Sequence, residues 1–420
     1  MVAVRGEVEV SGRRVALLAR RADTTSAALT WLGDAGCSVV VYADDRIQLP
    51  AENLSAREVR RFADWKVNGD VDRQLARDGQ SEPFDAIVAL SECDQVRAAE
   101  LREWLGIPGQ RPASAIAYRD KHAMKTFARV AGLDVPEHRL IGSPPEILDA
   151  IGRWGAAVIK PLDGAGTHGV AVLRTRGDAL AWCRAQDRQA DALPDLIVEE
   201  VVDAGMLSVD GIMADGKVLA AMVGRYTETC LASVRNGVAH GILTLTPGDP
   251  VSVIALGEVA RLVGALPSCD DIRSFHAEYF EVPGRGLVLC EIACRTGGGR
   301  LAQIAERQIG VHLDRTACLG QAGLLIAEEI VGHAPTLTGS LFGDVLVPRP
   351  GGPVALRAGG PPPAALVDHR FAADLDGPRA TKVSEYVADG LLCAASHHDL
   401  QGAFVEAAAW LSARLGMQAS

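Results

Sequence analysis

The chain has 420 residues, of which 48% are hydrophobic and 23% charged, and its formal net charge is −11. This length predicts about three compact domains or one large enzyme made of several subdomains. The acidic balance disfavours sequence-independent binding of nucleic acid, which requires surplus Lys and Arg, and no apolar run is long enough to span a membrane. Because the nine cysteines include no CxxC pair, we expect neither a disulfide framework nor a zinc site, and we predict a cytoplasmic protein.

Residues 1–115 alternate between strand and helix patterns. Three strands and two helices are predicted there, in chain order, at residues 15–19, 25–36, 38–42, 84–90 and 95–105. This alternation predicts an α/β domain with a parallel sheet. The turn after the first strand, residues 19–25, contains no glycine, so we do not expect it to bind the pyrophosphate of a dinucleotide.

Residues 116–202 form a second predicted unit, which contains a glycine-rich loop. Helices are predicted at 120–132, 144–154 and 179–185, and strands at 157–160, 169–174 and 196–202. The loop between the first two strands contains Gly164, Gly166, Thr167 and Gly169, a composition that lets backbone N–H groups approach an anion closely. Lys160 ends the strand before the loop and can reach the same anion. A flexible hairpin with an exposed lysine is equally compatible with this pattern.

Residues 203–335 form a third predicted unit, in which two carboxylates lie within apolar strands. Hairpins are predicted at 207–223 and 274–292, with a helix at 251–266 between them. Glu278 and Glu291 lie on opposite strands of the second hairpin, and a buried carboxylate is costly unless it is paired or bound to a metal. Since Mg²⁺ that bridges phosphates usually takes one or two carboxylates, we predict a metal site here. The alternative is a pair of glutamates on an edge strand that face solvent.

Further charged residues lie near these two units. Arg295 follows the second hairpin, and arginine beside a metal site stabilises developing negative charge, although a surface salt bridge would also account for it. Glu199 and Glu200 end the strand at 196–202, and since neighbouring strand residues face opposite sides, we expect at most one of them in a common cleft. Lys121, at the start of a helix, is by itself compatible with an ordinary surface residue.

The segment 225–246 and the tail complete the chain. The segment contains Arg225, Arg235 and His240 among small residues, and either arginine can pair with an amino-acid carboxylate; a charged surface loop fits the same pattern. Residues 348–363 are rich in Pro and Gly, which is typical of a loop or linker. Short strands at 365–367 and 391–394 and a helix at 400–415 follow, so we predict a small closing subdomain over residues 336–420.

Five short motifs follow one another in a specific order. They are Asp120-Lys121, residues 158–161 with the glycine-rich loop, Val198-Glu199-Glu200, residues 275–280 around Glu278, and residues 291–295 followed by three glycines. This order resembles the ATP-grasp superfamily, and most of all its carboxylate–amine ligase branch, which includes L-amino-acid ligases. The resemblance implies an ATP-grasp fold, in which a Rossmann-like pre-ATP-grasp domain precedes two α+β lobes that clasp ATP and a small C-terminal subdomain.

The resemblance also implies roles in nucleotide binding. Lys121 and Lys160 would contact the ATP phosphates, and the loop from Gly164 to Gly169 would fold over them. Many members carry an acidic ribose ligand near the position of Met206, and in this chain Asp203 would be the substitute for it. The residues that the resemblance assigns to ATP are Lys121, Lys160, Gly164, Gly166, Thr167, Gly169, Glu199, Glu200, Val202 and Asp203.

The remaining implied roles concern the metal and the substrates. Glu278 and Glu291 would hold Mg²⁺, with Mn²⁺ as an alternative, but Ala293 replaces an asparagine ligand that many members carry. Arg295 would stabilise the transferred phosphoryl group, and Arg300 would meet a substrate carboxylate. Substrate binding is assigned to Arg225, Arg235 and His240.

The implied reaction joins a small-molecule carboxylate, activated by ATP as an acyl phosphate, to an amine, with amino acids as the expected substrates. The absence of a clear Ser-His-Asp or Cys-His arrangement fits such chemistry, which relies on positioning and electrostatic stabilisation. Loading of an amino acid onto a carrier-protein thiol and carboxylation with bicarbonate are alternatives that use the same ATP site. Ala293 also leaves open a nucleotide-binding protein without catalysis. A homodimer is compatible with the sequence.

Overall fold

The computed structural model describes residues 12–49, 58–186, 195–331 and 339–417. Within these ranges, β-strands form three sheets, and α-helices pack on their faces. No helix of the described ranges is long and apolar enough to cross a membrane.

The N-terminal sheet is parallel and has the strand order β3-β2-β1-β4. Its elements are β1 (Arg14–Ala19), α1 (Ala22–Asp34), β2 (Ser38–Asp44), β3 (Glu58–Phe62), α2 (Asp70–Ser81), β4 (Ala86–Ala89) and α3 (Gln95–Leu105). Helices cover the sheet, so its central strands are buried on both faces and read as continuous apolar runs. The strand order reverses between β1 and β4, which leaves a crevice at their carboxyl ends where α/β proteins bind ligands. The predicted parallel α/β architecture is confirmed.

The second sheet is antiparallel and has the order β5-β8-β6-β7. It contains β5 (His138–Ile141), β6 (Ala157–Pro161), β7 (Ala171–Leu173) and β8 (Leu196–Glu200), with α6 (Pro144–Trp154) and α7 (Arg176–Gln186) beside it. The predicted glycine-rich loop therefore joins two paired antiparallel strands, β6 and β7. Before this sheet come α4 (Pro112–Ala117) and α5 (Lys121–Val130).

The third sheet has eight antiparallel strands in the order β13-β12-β9-β10-β11-β14-β16-β15. Its first five strands in the chain are β9 (Gly205–Ala214), β10 (Lys217–Tyr226), β11 (Ile242–Thr244), β12 (Arg273–Val282) and β13 (Gly286–Ala293). The tail adds β14 (Leu341–Pro348), β15 (Leu366–Phe371) and β16 (Tyr386–Ala394). The flanking helices are α8 (Cys230–Asn236), α9 (Pro250–Ala265), α10 (Leu301–Ile309), α11 (Leu313–Gln321), α12 (Ala327–Val331) and α13 (His397–Arg414).

The tail is thus continuous with the large sheet, since β11 pairs with β14 and β14 with β16. This continuity was not predicted, because a strand reveals its partner only through long-range pairing. The predicted domain limits, 1–115, 116–202, 203–335 and 336–420, remain predictions, but hydrogen bonds cross the last of these boundaries.

The hydrophobic cores show which parts of the chain are packed together. One cluster joins the N-terminal sheet to the large sheet and includes Leu29, Ile212 and Leu313, all fully buried. Burial of each such side chain contributes roughly 1.5–3 kcal/mol. A separate cluster lies within residues 147–198 and includes Ile159 and Val198. The small second sheet therefore has its own core, whereas the other two sheets share one.

Candidate active site

A cavity of about 900 Å³ is lined by residues of the second and third sheets and by residues that follow β1 and β4 in the N-terminal unit. The wall contains Glu278, Glu291 and Arg295 from the large sheet and its following loop, and Arg235 and His240 from the segment between β10 and β11. Nine of the ten residues assigned to ATP also line it, namely Lys121, Lys160, Gly164, Gly166, Thr167, Glu199, Glu200, Val202 and Asp203. The fold thus brings together most of the residues that the sequence singled out.

The glycine-rich loop folds back over the end of β6. Gly166 and Thr167 have positive φ angles of 60° and 66°, and Lys121 Nζ donates a hydrogen bond to the carbonyl of Gly164 at 2.7 Å. Gly169 has a φ of 73°, and a Cβ there would lie 2.8 Å from Cγ of Pro161. Gly169 itself does not line the cavity, so in this structure it shapes the turn rather than the wall.

A buried cluster of one glutamate and two lysines lies near the end of β6, where the glycine-rich loop begins. Glu199 is 1% exposed, and its carboxylate lies 2.9 Å from Lys160 Nζ and 3.3 Å from Lys125 Nζ. Burial alone would raise the pKa of Glu199, but the two lysines lower it to about 2. Lys125 also donates a hydrogen bond to the carbonyl of Cys290. With two cations and one anion the cluster keeps a net positive charge, which suits a phosphate-binding wall.

Lys125 was missed in the sequence, although a signal was present. The buried residues of α5 are Lys121, Met124, Lys125 and Ala128, which is the i, i+3, i+4, i+7 spacing of one helix face. A lysine on the buried face of an amphipathic helix requires an acidic partner. That partner, Glu199, is distant in sequence and only the fold brings it close.

Glu200 lies at the end of β8 and also lines the cavity. Its carboxylate accepts hydrogen bonds from Arg285 at 2.7 Å and from the N–H of Glu137 at 3.1 Å. The carboxylates of Glu199 and Glu200 thus have different partners. The expectation that at most one of them faces a common cleft stays a prediction.

Glu278 and Glu291 are paired opposite each other on β12 and β13, next to a β-bulge. Their side chains are 13% and 23% exposed, so the alternative of two glutamates facing solvent is excluded. Glu291 lies 3.1 Å from Lys121 Nζ. Burial would raise the pKa of Glu291, but Lys121 and Lys160 lower it to about 2, so this carboxylate is ionised at neutral pH.

Glu278 is held by two neighbours that the sequence did not reveal. Tyr226 Oη donates to its carboxylate at 2.6 Å, and His276 Nε2 lies 3.5 Å away. On its other side, His276 Nδ1 is 2.7 Å from the carboxylate of Asp210. Burial disfavours a charged His276, but Asp210 outweighs it and raises the pKa of His276 to about 10.

The two glutamates fit a hard divalent cation. Carboxylate oxygens are the ligands that Mg²⁺ takes beside nucleotide phosphates and water. In the described ranges no group of three or more His, Cys, Asp and Glu residues forms a metal site, so a cation held by Glu278 and Glu291 needs oxygen ligands from elsewhere. Ala293 is 4% exposed and supplies no ligand atom from its side chain.

Arg295 reaches the cavity from the loop after β13 and is anchored by a residue of the N-terminal unit. Its Nε donates to Glu92 at 2.9 Å, and its Nη1 donates to the carbonyl of Thr296 at 3.1 Å. Arg119 contacts the same carboxylate. Burial would raise the pKa of Glu92, but Arg295 and Arg119 lower it. No sequence motif marked Glu92, which lies in a short turn after β4.

Two predicted substrate contacts are not at the cavity wall. Arg300 is 3% exposed and is engaged by Asp389 and, at 2.7 Å, by Asp368, both on strands of the tail. Arg225 pairs with Glu281 at 2.9 Å. Neither arginine lines the cavity, because each is held by a carboxylate elsewhere. The sequence does not show that these carboxylates lie nearby.

His240 and Arg235 do line the cavity, with different properties. His240 is buried, its Nδ1 lies 2.8 Å from Ser233 Oγ, and burial lowers its pKa to about 4. It is therefore neutral at neutral pH and offers hydrogen bonding rather than charge. The Arg235 side chain is exposed and has no ion-pair partner among the described residues.

Known proteins resemble this chain in sequence and in structure. No protein-family model matches the chain. The L-arginine-specific L-amino acid ligase of Bacillus subtilis is 24% identical over 237 residues, which cover 55% of this chain and 56% of that protein. The chain thus matches about half the length of this curated relative.

Solved structures match over nearly the whole chain. The L-amino acid ligase from Bacillus licheniformis has a TM-score of 0.70 at 15% identity, covering 95% of this chain and 97% of that one. The carboxyaminoimidazole ribonucleotide synthase from Aspergillus clavatus, complexed with ATP, has a TM-score of 0.68 at 15% identity, covering 96% and 99%. The resemblance in motif order is confirmed at the level of architecture: this chain has the ATP-grasp fold.

Proposed function

We propose that this protein is an ATP-dependent carboxylate–amine ligase that forms an amide bond through an acyl phosphate and produces ADP and phosphate. The observation that carries the proposal is that one cavity is lined by Lys121, Lys160 and the glycine-rich loop together with Glu278 and Glu291. Lysines and loop N–H groups bind phosphates, and paired carboxylates bind the cation that accompanies them. The relatedness to an L-amino acid ligase supports amino acids as substrates.

In the first proposed step, a carboxylate oxygen of the substrate attacks the γ-phosphorus of ATP. The bond to the β–γ bridging oxygen breaks, and ADP leaves with the electron pair. Lys121 and Lys160 hold the phosphates, while Arg295 approaches the transferred group. A bound Mg²⁺ or Mn²⁺, with Glu278 and Glu291 as its protein ligands, would neutralise phosphate charge.

In the second step, the unprotonated amine attacks the acyl carbon. The C–N bond forms, the C–O bond to phosphate breaks, and the nitrogen releases a proton to the departing phosphate. Arg295 stabilises the negative charge on the tetrahedral oxygen. Closure of the glycine-rich loop over the cavity would exclude water that hydrolyses the acyl phosphate.

The cavity has room for these substrates beyond the nucleotide. Its wall continues to Arg20, Ser91 and Glu92 at the carboxyl ends of β1 and β4, and to Lys382 and Tyr386 of the tail. These positions adjoin the crevice at the reversal of strand order. We place the amine and acyl substrates there, with Arg235 as a partner for an amino-acid carboxylate.

The test is to incubate the protein with Mg-ATP and pools of amino acids, to measure ADP and phosphate, and to determine product masses. We expect ADP release that depends on added amino acids, and a product lighter than the two substrates together by one water. ADP release without a condensed product would reject a free amine as the acceptor. Failure to bind or cleave ATP would reject the proposal as a whole.

A further inference from the structure

Glu92 links the N-terminal unit to the site of the proposed chemistry. It begins the turn Glu92–Asp94, which two residues separate from the end of β4, and its side chain is 13% exposed. One carboxylate oxygen accepts a hydrogen bond from Arg295 Nε at 2.9 Å, and the other contacts Arg119. A carboxylate between two guanidinium groups has little freedom to move, because both of its oxygens are engaged.

Arg119 connects the same carboxylate to the glycine-rich loop. Its other terminal nitrogen donates to the carbonyl of Asp163, the residue immediately before Gly164. The neighbouring carbonyl, that of Gly164, accepts from Lys121 at 2.7 Å. Glu92 is therefore connected to the start of the glycine-rich loop through Arg119 and to the cavity wall through Arg295.

The way in which Arg295 is held leaves part of it available. Its Nε and Nη1 are engaged by Glu92 and by the carbonyl of Thr296. Its Nη2 has no hydrogen-bond partner among the described residues. An arginine side chain has several rotatable bonds, so two fixed nitrogens orient the remaining donor toward a ligand at lower entropic cost.

We propose that Glu92 is a positioning residue, which orients the Arg295 guanidinium toward the reacting phosphoryl and acyl groups. This inference rests on the proposed ligase function. The N-terminal unit, which contributes no glycine-rich nucleotide loop, would thus help to position a catalytic side chain. A purely structural ion pair is the competing explanation, but buried ion pairs add little net stability, and this carboxylate lines the cavity.

The test compares Glu92→Gln and Glu92→Asp with the wild type and with Asp94→Asn as a matched control. Asp94 lies in the same turn and is buried, but its carboxylate accepts a hydrogen bond from Trp65 at 2.8 Å and does not line the cavity. We expect Glu92→Gln to lower kcat by about 10²-fold, because a small misplacement of a catalytic group has this effect. The KM for ATP should change little, since Lys121 and Lys160 remain. Glu92→Asp should restore part of kcat, and Asp94→Asn should leave it unchanged.

A double-mutant cycle with Arg295→Lys separates positioning from stability. If Glu92 acts through Arg295, the losses of kcat from the two substitutions overlap instead of multiplying. Independent, multiplying losses, or a normal kcat in a folded Glu92→Gln variant, would overturn the inference while leaving the ligase proposal intact. A wild-type protein that does not turn over ATP with any substrate would overturn the proposed function and the inference together.

Discussion

Glu291 is the residue on which the proposed phosphoryl transfer depends most directly. It lies opposite Glu278 and beside Lys121, and it is ionised at neutral pH. We expect Glu291→Gln to lower ATP turnover by about 10²–10³-fold, because the amide cannot replace a charged metal ligand. Steady-state assays of ADP release measure this effect.

The matched control for that substitution is Glu281→Gln. Glu281 lies on β12, paired with Arg225 away from the cavity wall. Its loss should leave turnover within about twofold of the wild type, as for a surface ion pair. Unchanged turnover in Glu291→Gln would contradict the metal assignment.

The buried carboxyl group of Asp344 should make the free energy of unfolding depend on pH. It is buried on β14 and accepts hydrogen bonds from the N–H groups of Ile242 at 2.8 Å and Arg300 at 3.0 Å. Burial raises its pKa from 3.8 to about 6, and those hydrogen bonds offset only part of the increase. The folded state therefore binds the proton more tightly than the unfolded state, so the contribution of Asp344 to stability falls as pH rises from about 4 to 6.

The measurement is urea-induced unfolding of the wild type and Asp344→Asn across that range. The unfolding free energy of the wild type relative to the variant should fall by at most roughly 3 kcal/mol between pH 4 and 7. Asp270→Asn, at an exposed position, is the control and should show no such trend. A difference between wild type and Asp344→Asn that does not change with pH would contradict the shifted pKa.

Single residues differ in how far the sequence predicts them. Glu278 and Glu291 could be found because a carboxylate within an apolar strand needs an explanation. The spacing along α5 also marks Lys125 as buried, but not its partner Glu199, and Glu92 could not be found because its partner Arg295 lies far away in sequence. The burial of Arg300 by tail carboxylates depends on the same kind of long-range contact.

At the scale of elements, the glycine-rich loop requires glycine at one position for a steric reason. Gly169 has a positive φ, and a Cβ there would clash with the ring of Pro161. We expect Gly169→Ala to destabilise the protein by about 1–3 kcal/mol and to weaken ATP binding, since the loop must shift. Chemical unfolding and calorimetric titration with ATP measure the two effects.

Gly152→Ala provides the matched control for the loop. Gly152 lies in α6, and a Cβ there would meet no atom within 4 Å. Alanine should stabilise the helix by about 0.5–1 kcal/mol and leave ATP binding unchanged. Equal ATP affinity in both variants would show that the loop conformation does not determine nucleotide binding.

Elements with strong local signals were predicted closely. The helices α3 and α6 have the predicted bounds, and the two hairpins of the large sheet are present. By contrast, β3 and α2 were missed, because β3 is largely charged and α2 buries only Val71, Leu75, Ala76 and Gly79. The strand β14 is buried throughout, but its place in the sheet depends on pairing with β11 and β16.

At the scale of the whole molecule, the distribution of cores predicts a separately moving lobe. The small sheet has its own core around Ile159, whereas the N-terminal and large sheets share the core that contains Leu313. We expect Ile159→Ala to increase hydrogen exchange in residues 138–186 and 195–200 only. Leu313→Ala should increase exchange in both of the other sheets, at a cost of about 2–5 kcal/mol.

ATP should protect the same small lobe from exchange if it closes over the nucleotide. Exchange monitored by mass spectrometry, with and without Mg-ATP, tests this expectation. Protection spread evenly over all three sheets would contradict a lobe that moves as a unit. Such closure would also explain how a cavity of about 900 Å³ can exclude water during the reaction.

In the proposed first step, the carboxylate of the acyl substrate attacks the γ-phosphorus of ATP. The most direct measurement uses a substrate labelled with ¹⁸O in that carboxylate and follows the label by mass spectrometry of the released phosphate. Transfer of one labelled oxygen to each phosphate, together with formation of the amide product, is the predicted result. Phosphate that takes its new oxygen from water instead would contradict an acyl phosphate and identify the reaction as simple ATP hydrolysis.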